Sequence, residues 1–202
     1  MLLKDIKKFI INLPHRKDRL ERVKSEMKNH NIDNWEIFPA IHNKTMGFKG
    51  LSDTVKKIIR IAKKDNLDMI IIFEDDVKMT NPKSFEKFQL ALDSLPEKWD
   101  ILLGGVYSLL TGYEEYNEHL IKVRDFASLH CTLINKSAYD IILKHDVEKK
   151  KHLDRYLGLN CKNGDLKVFL TWPMIAVQYN GESDISNKKV NYDRLLKKFK
   201  LY

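Results

Sequence analysis

Cysteine is scarce in this 202-residue chain: only Cys131 and Cys161 occur, one inside an apolar run and one beside Asn160, Lys162 and Asn163. Two cysteines in unrelated contexts argue against a disulfide framework and against a thiolate metal site. Long apolar runs are missing too. None approaches the ~18 residues that span a bilayer, and the opening MLLKDIKKFIINL puts charges where a signal peptide needs its apolar centre, so the expected location is cytoplasmic. There is no internal repeat and no low-complexity linker, which points to one domain over residues 1–202. Basic residues are not interleaved with stacking aromatics in any stripe, so a nucleic-acid partner is not expected.

What is present is an ordinary globular composition, 43% hydrophobic and 32% charged, with Lys plus Arg exceeding Asp plus Glu by 36 to 28. A charge of +8 favours an anionic partner, but lysines scattered over helix faces mainly provide solubility. The sharpest local signal is Met69, Ile70, Ile71, Ile72 and Phe73 running into Glu74, Asp75 and Asp76. An apolar, largely β-branched run reads as a fully buried strand, and three adjacent acids at its end call for a cation, a set of donors or solvent.

Residues 6–13 (IKKFIINL) read as a first strand and 16–31 as an amphipathic helix with Leu20, Val23 and Met27 on one face. Arg16 and Arg19 stand at that helix's start, where guanidinium forks and free N–H groups suit a phosphate; alternatively Asp18 caps and the arginines pair with Glu21 or Glu26. Residues 35–41 predict a short second strand, 42–50 a loop, and Ser52 or Asp53 a cap for a helix over 54–64 that leads into the buried strand as a parallel pair. A loop at 78–81, a helix from Pro82 to Leu95 and a strand over 99–103 follow. Gly104 and Gly105 permit close backbone approach to a ligand or make a plain turn, and residues 106–117, with Tyr107, Tyr113 and Tyr116, predict a loop.

Strands are predicted at 119–124, 128–134 and 167–170, helices from about 136 to 144 and at 152–157. After the apolar segment ending at Gln178, residues 181–186 read as a loop, and a basic tail at about 190–202 carries Tyr192, Leu195, Leu196 and Phe199 on one helical face. The tail docks on the domain or, as the sharper alternative, contacts an acidic membrane surface. Alternating strands and helices predict an α/β fold with a mostly parallel, Rossmann-like central sheet flanked by helices.

Acids released at the carboxyl end of a buried strand lie where open α/β sheets bind ligands. Hard oxygen ligands suit Mg²⁺ or Mn²⁺ bound through one or two carboxylates and ligand phosphates. Asp76, helped by Glu74 or Asp75, would hold the ion, and Arg16 or Arg19 would neutralise remaining diphosphate oxygens. A dehalogenase-type aspartate nucleophile is disfavoured because Glu74 takes its first position, and a nuclease-type cluster because no second dense acidic motif exists.

The succession FIINLPHRKDRLERV, FPAI, a glycine and serine before a helix, IIFEDDV, LINKSAYDIIL, HLDRYL, and WPMIAVQ with SDI resembles glycosyltransferase family 25 over nearly the whole chain. The resemblance implies a GT-A fold, a nucleotide-sugar donor, usually a UDP-sugar, a DxD-like acidic motif with Mn²⁺ or Mg²⁺, and a glycan or protein hydroxyl as acceptor. It places Asn12, Arg16 and Arg19 at the nucleotide, Glu74, Asp75 and Asp76 at the metal, and Gln178, Ser183 and Asp184 in the late donor segment. It departs at Leu51, Ser52 and Asp53, where members carry Gly-Cys-x-x-Ser-His, and at Leu129, His130, Cys131 and Thr132. Inversion in a single displacement needs a base, for which Asp154 is chosen ahead of His130 and Asp184. The rival reading is a non-catalytic anion or nucleic-acid binder, for which the charge and tail argue.

Overall fold

The computed structural model describes residues 1–149, 151–184 and 188–198. Its first half alternates as the apolar periods require: β1 (Lys8–Asn12), α1 (Lys17–Asn29), β2 (Trp35–Pro39), α2 (Gly47–Lys64) and β3 (Met69–Glu74). Side chains of β1 and β3 alternate between two cores. Phe9, Ile11, Ile70 and Ile72 share one with Val55, Ile58 and Ile59 of α2, while Ile10, Ile71 and Phe73 share the other with Val23 and Met27 of α1. Strands covered on both faces need no polar alternation, which is why 69–73 is apolar without a break. Each such side chain, fully buried, contributes about 1.5–3 kcal/mol.

Then come β4 (Val77–Met79), α3 (Ser84–Asp93), β5 (Ile101–Leu103), β6 (Ser108–Leu109), β7 (Tyr113–Asn117), β8 (Leu120–Val123), β9 (Phe126–Ala127) and β10 (Cys131–Asn135). They are followed by α4 (Tyr139–Leu143), α5 (Leu153–Lys162), β11 (Val168–Thr171), β12 (Ala176–Gln178), β13 (Gly181–Ser183), β14 (Lys188–Val190) and α6 (Tyr192–Lys198). The central sheet has the order β2-β1-β3-β10-β5-β11-β8-β7, in which β10 and β8 run against the other strands. The fold is therefore mixed α/β with a mostly parallel sheet between helix layers, as expected. Val55, Ile142 and Leu157 bring α2, α4 and α5 to one core, and Val23 and Phe88 bring α1 and α3 to the other.

Several expectations need correction. The strands before and after α2 are parallel but not paired, because β1 lies between them. Helix α2 begins at Gly47, so Ser52 and Asp53 are interior and neither caps it; the Ser52 hydroxyl instead meets His145 Nδ1 at 2.7 Å. Gly104 and Gly105 serve close approach to the chain itself. A Cβ on Gly105 would lie 1.9 Å from the Ala176 carbonyl oxygen, and one on Gly104 would lie 2.4 Å from Cys131 Sγ. Residues 77–79 are a strand paired with β12, residues 113–117 are an edge strand paired with β8, and residues 181–183 pair with β14 as a hairpin. Cys131 and Cys161 are both free and buried. Of the tail, Leu196 is buried in the α2 core; Phe199, like Ile185 and Ser186 of the expected loop, lies outside the described residues. Among the described residues no helix is long and apolar enough to cross a membrane.

Candidate active site

Strand β1 has β2 on one side and β3 on the other, so the strand order reverses at its carboxyl end, the position where open α/β sheets bind ligands. Ile11 stands opposite Glu74 there, and the turn after β3 carries Asp75 and Asp76. Asn12 Nδ2 donates to Asp75 Oδ2 at 2.7 Å and to the Arg16 carbonyl at 3.2 Å, joining the end of β1 to that turn. From the first turn of α1, Arg19 Nη1 donates to Asp75 Oδ1 at 2.8 Å and reaches Asp76 Oδ2 at 3.4 Å, while Nη2 donates to the Glu182 carbonyl of β13. Arg16 pairs with Asp18, Nε to Oδ1 at 3.0 Å, and with Asp184 beyond β13. Thus Asp18 holds an arginine rather than capping α1, and neither arginine turns to Glu21 or Glu26. Gln178, at the end of β12, donates to Asp76 Oδ1 at 3.3 Å and to the Tyr192 hydroxyl at 3.4 Å. The expected donor-side residues come together in one cluster.

Glu74 stands apart from this pairing. Among the described residues no hydrogen bond or ion pair ends on its carboxylate, and burial, followed by the charges of Asp76, Asp154 and Asp75, pushes its pKa well above the usual carboxylate range. Asp75 and Asp76 are also raised by burial, with Arg19 opposing the shift. A pKa raised on folding gives stability that is present below the unfolded value, ~4, and is lost as pH rises through the folded one. Glu74→Gln removes that loss. The variant should therefore melt above wild type at pH 8, with the gap closing as pH falls toward the unfolded carboxylate's value of ~4. Calorimetry of the two proteins across that range checks it, and a gap independent of pH would contradict it.

Asp154 lies in the first turn of α5, where its Oδ2 accepts from the Ser128 backbone N–H at 3.0 Å and its Oδ1 from its neighbour Arg155 N–H at 2.7 Å. Burial raises its pKa, and these two bonds oppose the rise. His130 is 1% exposed and held neutral, its pKa lowered by burial to about 4. It acts as a support: its Nδ1 meets Ser128 Oγ at 2.5 Å, and Ser128 Oγ donates to Gln178 Oε1 at 3.2 Å. Ser128 and Tyr192 are site residues that the sequence did not reveal. Ser128 adopts φ of 115°, a strained conformation for a non-glycine residue, and it links Asp154 to the Gln178–Asp76 pair.

Two adjoining cavities flank Glu74. The first, about 100 Å³, runs between Arg19, Asp75, Asp76 and Asp184 and a wall of Leu13, Ala40 and Ile41. The second, about 240 Å³, is walled by Phe48, Tyr107, Leu129 and Leu195 with Asp154 at its edge; Glu74, Gln178 and Tyr192 line both. Among the described residues no three His, Cys, Asp or Glu side chains form a metal-ligand group. An ion here would take one or two protein carboxylates and complete its shell from ligand and water, the usual arrangement for Mg²⁺. Glu74 fits that demand with both oxygens free of partners among the described residues, and Asp76 fits it better than Asp75: its oxygens meet Gln178 and Arg19 at 3.3 and 3.4 Å, whereas those of Asp75 meet Asn12 and Arg19 at 2.7 and 2.8 Å.

Neither a family model nor a curated protein matches the chain. Solved structures do. A glycosyltransferase involved in the glycosylation of the major capsid of PBCV-1 superposes with a TM-score of 0.56 at 11% identity, covering 95% of this chain and 98% of that one. A197 from STIV superposes with a TM-score of 0.50 at 13% identity, covering 92% and 93%. At these identities the likeness is one of fold: the chain has a glycosyltransferase-like fold over nearly its whole length.

Proposed function

We propose that the protein is a glycosyltransferase of the family 25 kind, which moves a sugar from a nucleotide-sugar donor, a UDP-sugar by the resemblance, to a hydroxyl acceptor with inversion. The observation that carries the reading is the pairing of an acid cluster with two arginines at the strand switch point, facing Asp154 across Glu74, within a glycosyltransferase-like fold. Donor nucleoside would lie against Leu13, Ala40 and Ile41. Arg16 and Arg19 converge on Asp184, and a donor diphosphate would meet their guanidinium groups there, since planar forks suit phosphate oxygens. A divalent ion, Mn²⁺ or Mg²⁺, bound by Asp76 and Glu74 would supply charge for the leaving diphosphate. Asn12 holds Asp75, and Asp75 with Asp76 holds Arg19, so the cluster is preorganised.

In the transfer step the acceptor oxygen forms its bond to the sugar's anomeric carbon as the bond from that carbon to the diphosphate oxygen breaks. The leaving diphosphate keeps the electron pair, and Asp154 takes the acceptor's proton. A carboxylate whose pKa burial has raised holds a proton better than an exposed one, which suits a base. The test is a melting screen of nucleoside diphosphates and nucleotide sugars with and without Mn²⁺, followed by an assay for released diphosphate. A donor at ten times its Kd should stabilise by about 1.4 kcal/mol, roughly 3–6 °C at this length. Indifference to every nucleotide, with or without the ion, would overturn the reading.

A further inference from the structure

We propose that the β13–β14 hairpin latches the donor site, with the Asp184 carboxylate occupying the place of a donor phosphate between Arg16 and Arg19. The donor then binds only to protein in which that carboxylate has let go. The inference rests on the glycosyl-transfer reading and names a regulation of its donor site. A single atom carries the contact. Asp184 Oδ2 accepts from Arg16 Nη1 and lies 3.8 Å from Arg19 Nη2, so one oxygen stands between two guanidinium groups. Arg19 Nη2 also donates to the Glu182 carbonyl of the same strand. Guanidinium forks take carboxylate and phosphate oxygens alike, so the two anions compete for the same donors.

Neither arginine needs Asp184 for charge balance. Arg16 already meets both oxygens of Asp18, Nε to Oδ1 at 3.0 Å and Nη2 to Oδ2 at 2.9 Å, and Arg19 meets Asp75 and Asp76. A diphosphate can therefore replace Asp184 and leave these pairs intact. Space points the same way. Ser183 and Asp184 line the first cavity, whose volume of about 100 Å³ falls short of the ~300–1,000 Å³ usual for small-molecule sites. Little opposes the movement, since none of residues 181–184 or 188–190 is buried. The hairpin's base has its own ties: Asn180 accepts from the Tyr192 N–H at 2.7 Å and donates to Asp193 Oδ2 at 2.6 Å, so the latch can open while that base holds.

Calorimetric and stopped-flow titration of the full chain with inorganic pyrophosphate, uridine diphosphate and uridine tests the latch, with Asp184→Asn and Asp184→Ala beside wild type. Both variants should bind the two diphosphates about fivefold more tightly, the effect of removing one partly exposed ion pair, and should bind uridine no differently from wild type. The gain should appear in the association rate, because apparent affinity scales with the fraction of protein that is open. Equal or weaker diphosphate binding by the variants overturns the latch, since a carboxylate that itself holds the donor or its ion would lose affinity on neutralisation. A gain carried by slower dissociation overturns it too, as that marks simple repulsion within the complex. If the variants tighten on pyrophosphate yet no nucleotide sugar is turned over, the transfer reading falls and the latch stands. If nucleotide sugars are turned over and the variants gain nothing, the latch alone falls.

Discussion

Asp154→Asn is expected to lower kcat for transfer by about 10²–10⁴-fold, the range measured for removing a positioned general base. Asparagine has the shape of aspartate and can still accept the Ser128 N–H bond, so the geometry at the start of α5 should survive. The amide cannot take a proton from the acceptor hydroxyl. Donor KM should stay within about twofold, because Asp154 lines the second cavity and not the first. Stability should not fall at pH 8, since a carboxylate disfavoured by burial is replaced by a neutral group. Initial rates at saturating donor and acceptor, with melting curves of both proteins, decide it: a kcat within tenfold of wild type would remove Asp154 as the base.

Most of the acid–arginine cluster could be read as one neighbourhood because it lies at two strand ends that are parallel neighbours. Once β1 and β3 pair, Asn12 and Glu74 must reach the same edge, and the first turn of α1 must bring Arg16 and Arg19 beside them. Direction in the second half was less readable. The apolar run 128–134 has the same pattern whichever way it runs, yet β10 enters antiparallel to β3 and so delivers Ser128 and His130 to the carboxyl end of β3, where the Glu74 N–H meets the His130 carbonyl at 3.1 Å. Strand β7 was hidden for another reason. All five of its residues are exposed, so no alternation marks it, and its pairing with β8 alone makes it a strand. The early start of α2 rests on Asn43, whose Oδ1 accepts from the backbone N–H groups of Thr45 and Met46, and on Gly50, where a Cβ would lie 2.1 Å from the Ile41 carbonyl oxygen. Neither signal is hydrophobic periodicity, so the helix was placed from Thr54 onward.

The largest effect on stability is expected at Arg19. Its side chain is about one-tenth exposed, and it is the cation bonded to both Asp75 and Asp76. Removing one partner of a buried ion pair costs about 3–5 kcal/mol, because the remaining charge is left without compensation. Here two carboxylates remain, with Glu74 and Asp154 close by, so Arg19→Ala should lower Tm by roughly 6–20 °C at pH 8. Loss of the packed stem would do some of this without any charge effect, and Arg19→Met, which keeps an apolar stem, separates the two. The charge contribution has a signature. Losing the guanidinium raises the pKa values of Asp75 and Asp76 further, so the variant's deficit should shrink as pH falls toward the carboxylate range, where protonation relieves the repulsion. Combining Arg19→Ala with Asp76→Asn should cost less than the sum of the single changes by more than about 0.5 kcal/mol, the limit within which independent sites add. Additivity, together with a deficit that ignores pH, would mean that Arg19 acts through packing and that the acids are not held by its charge.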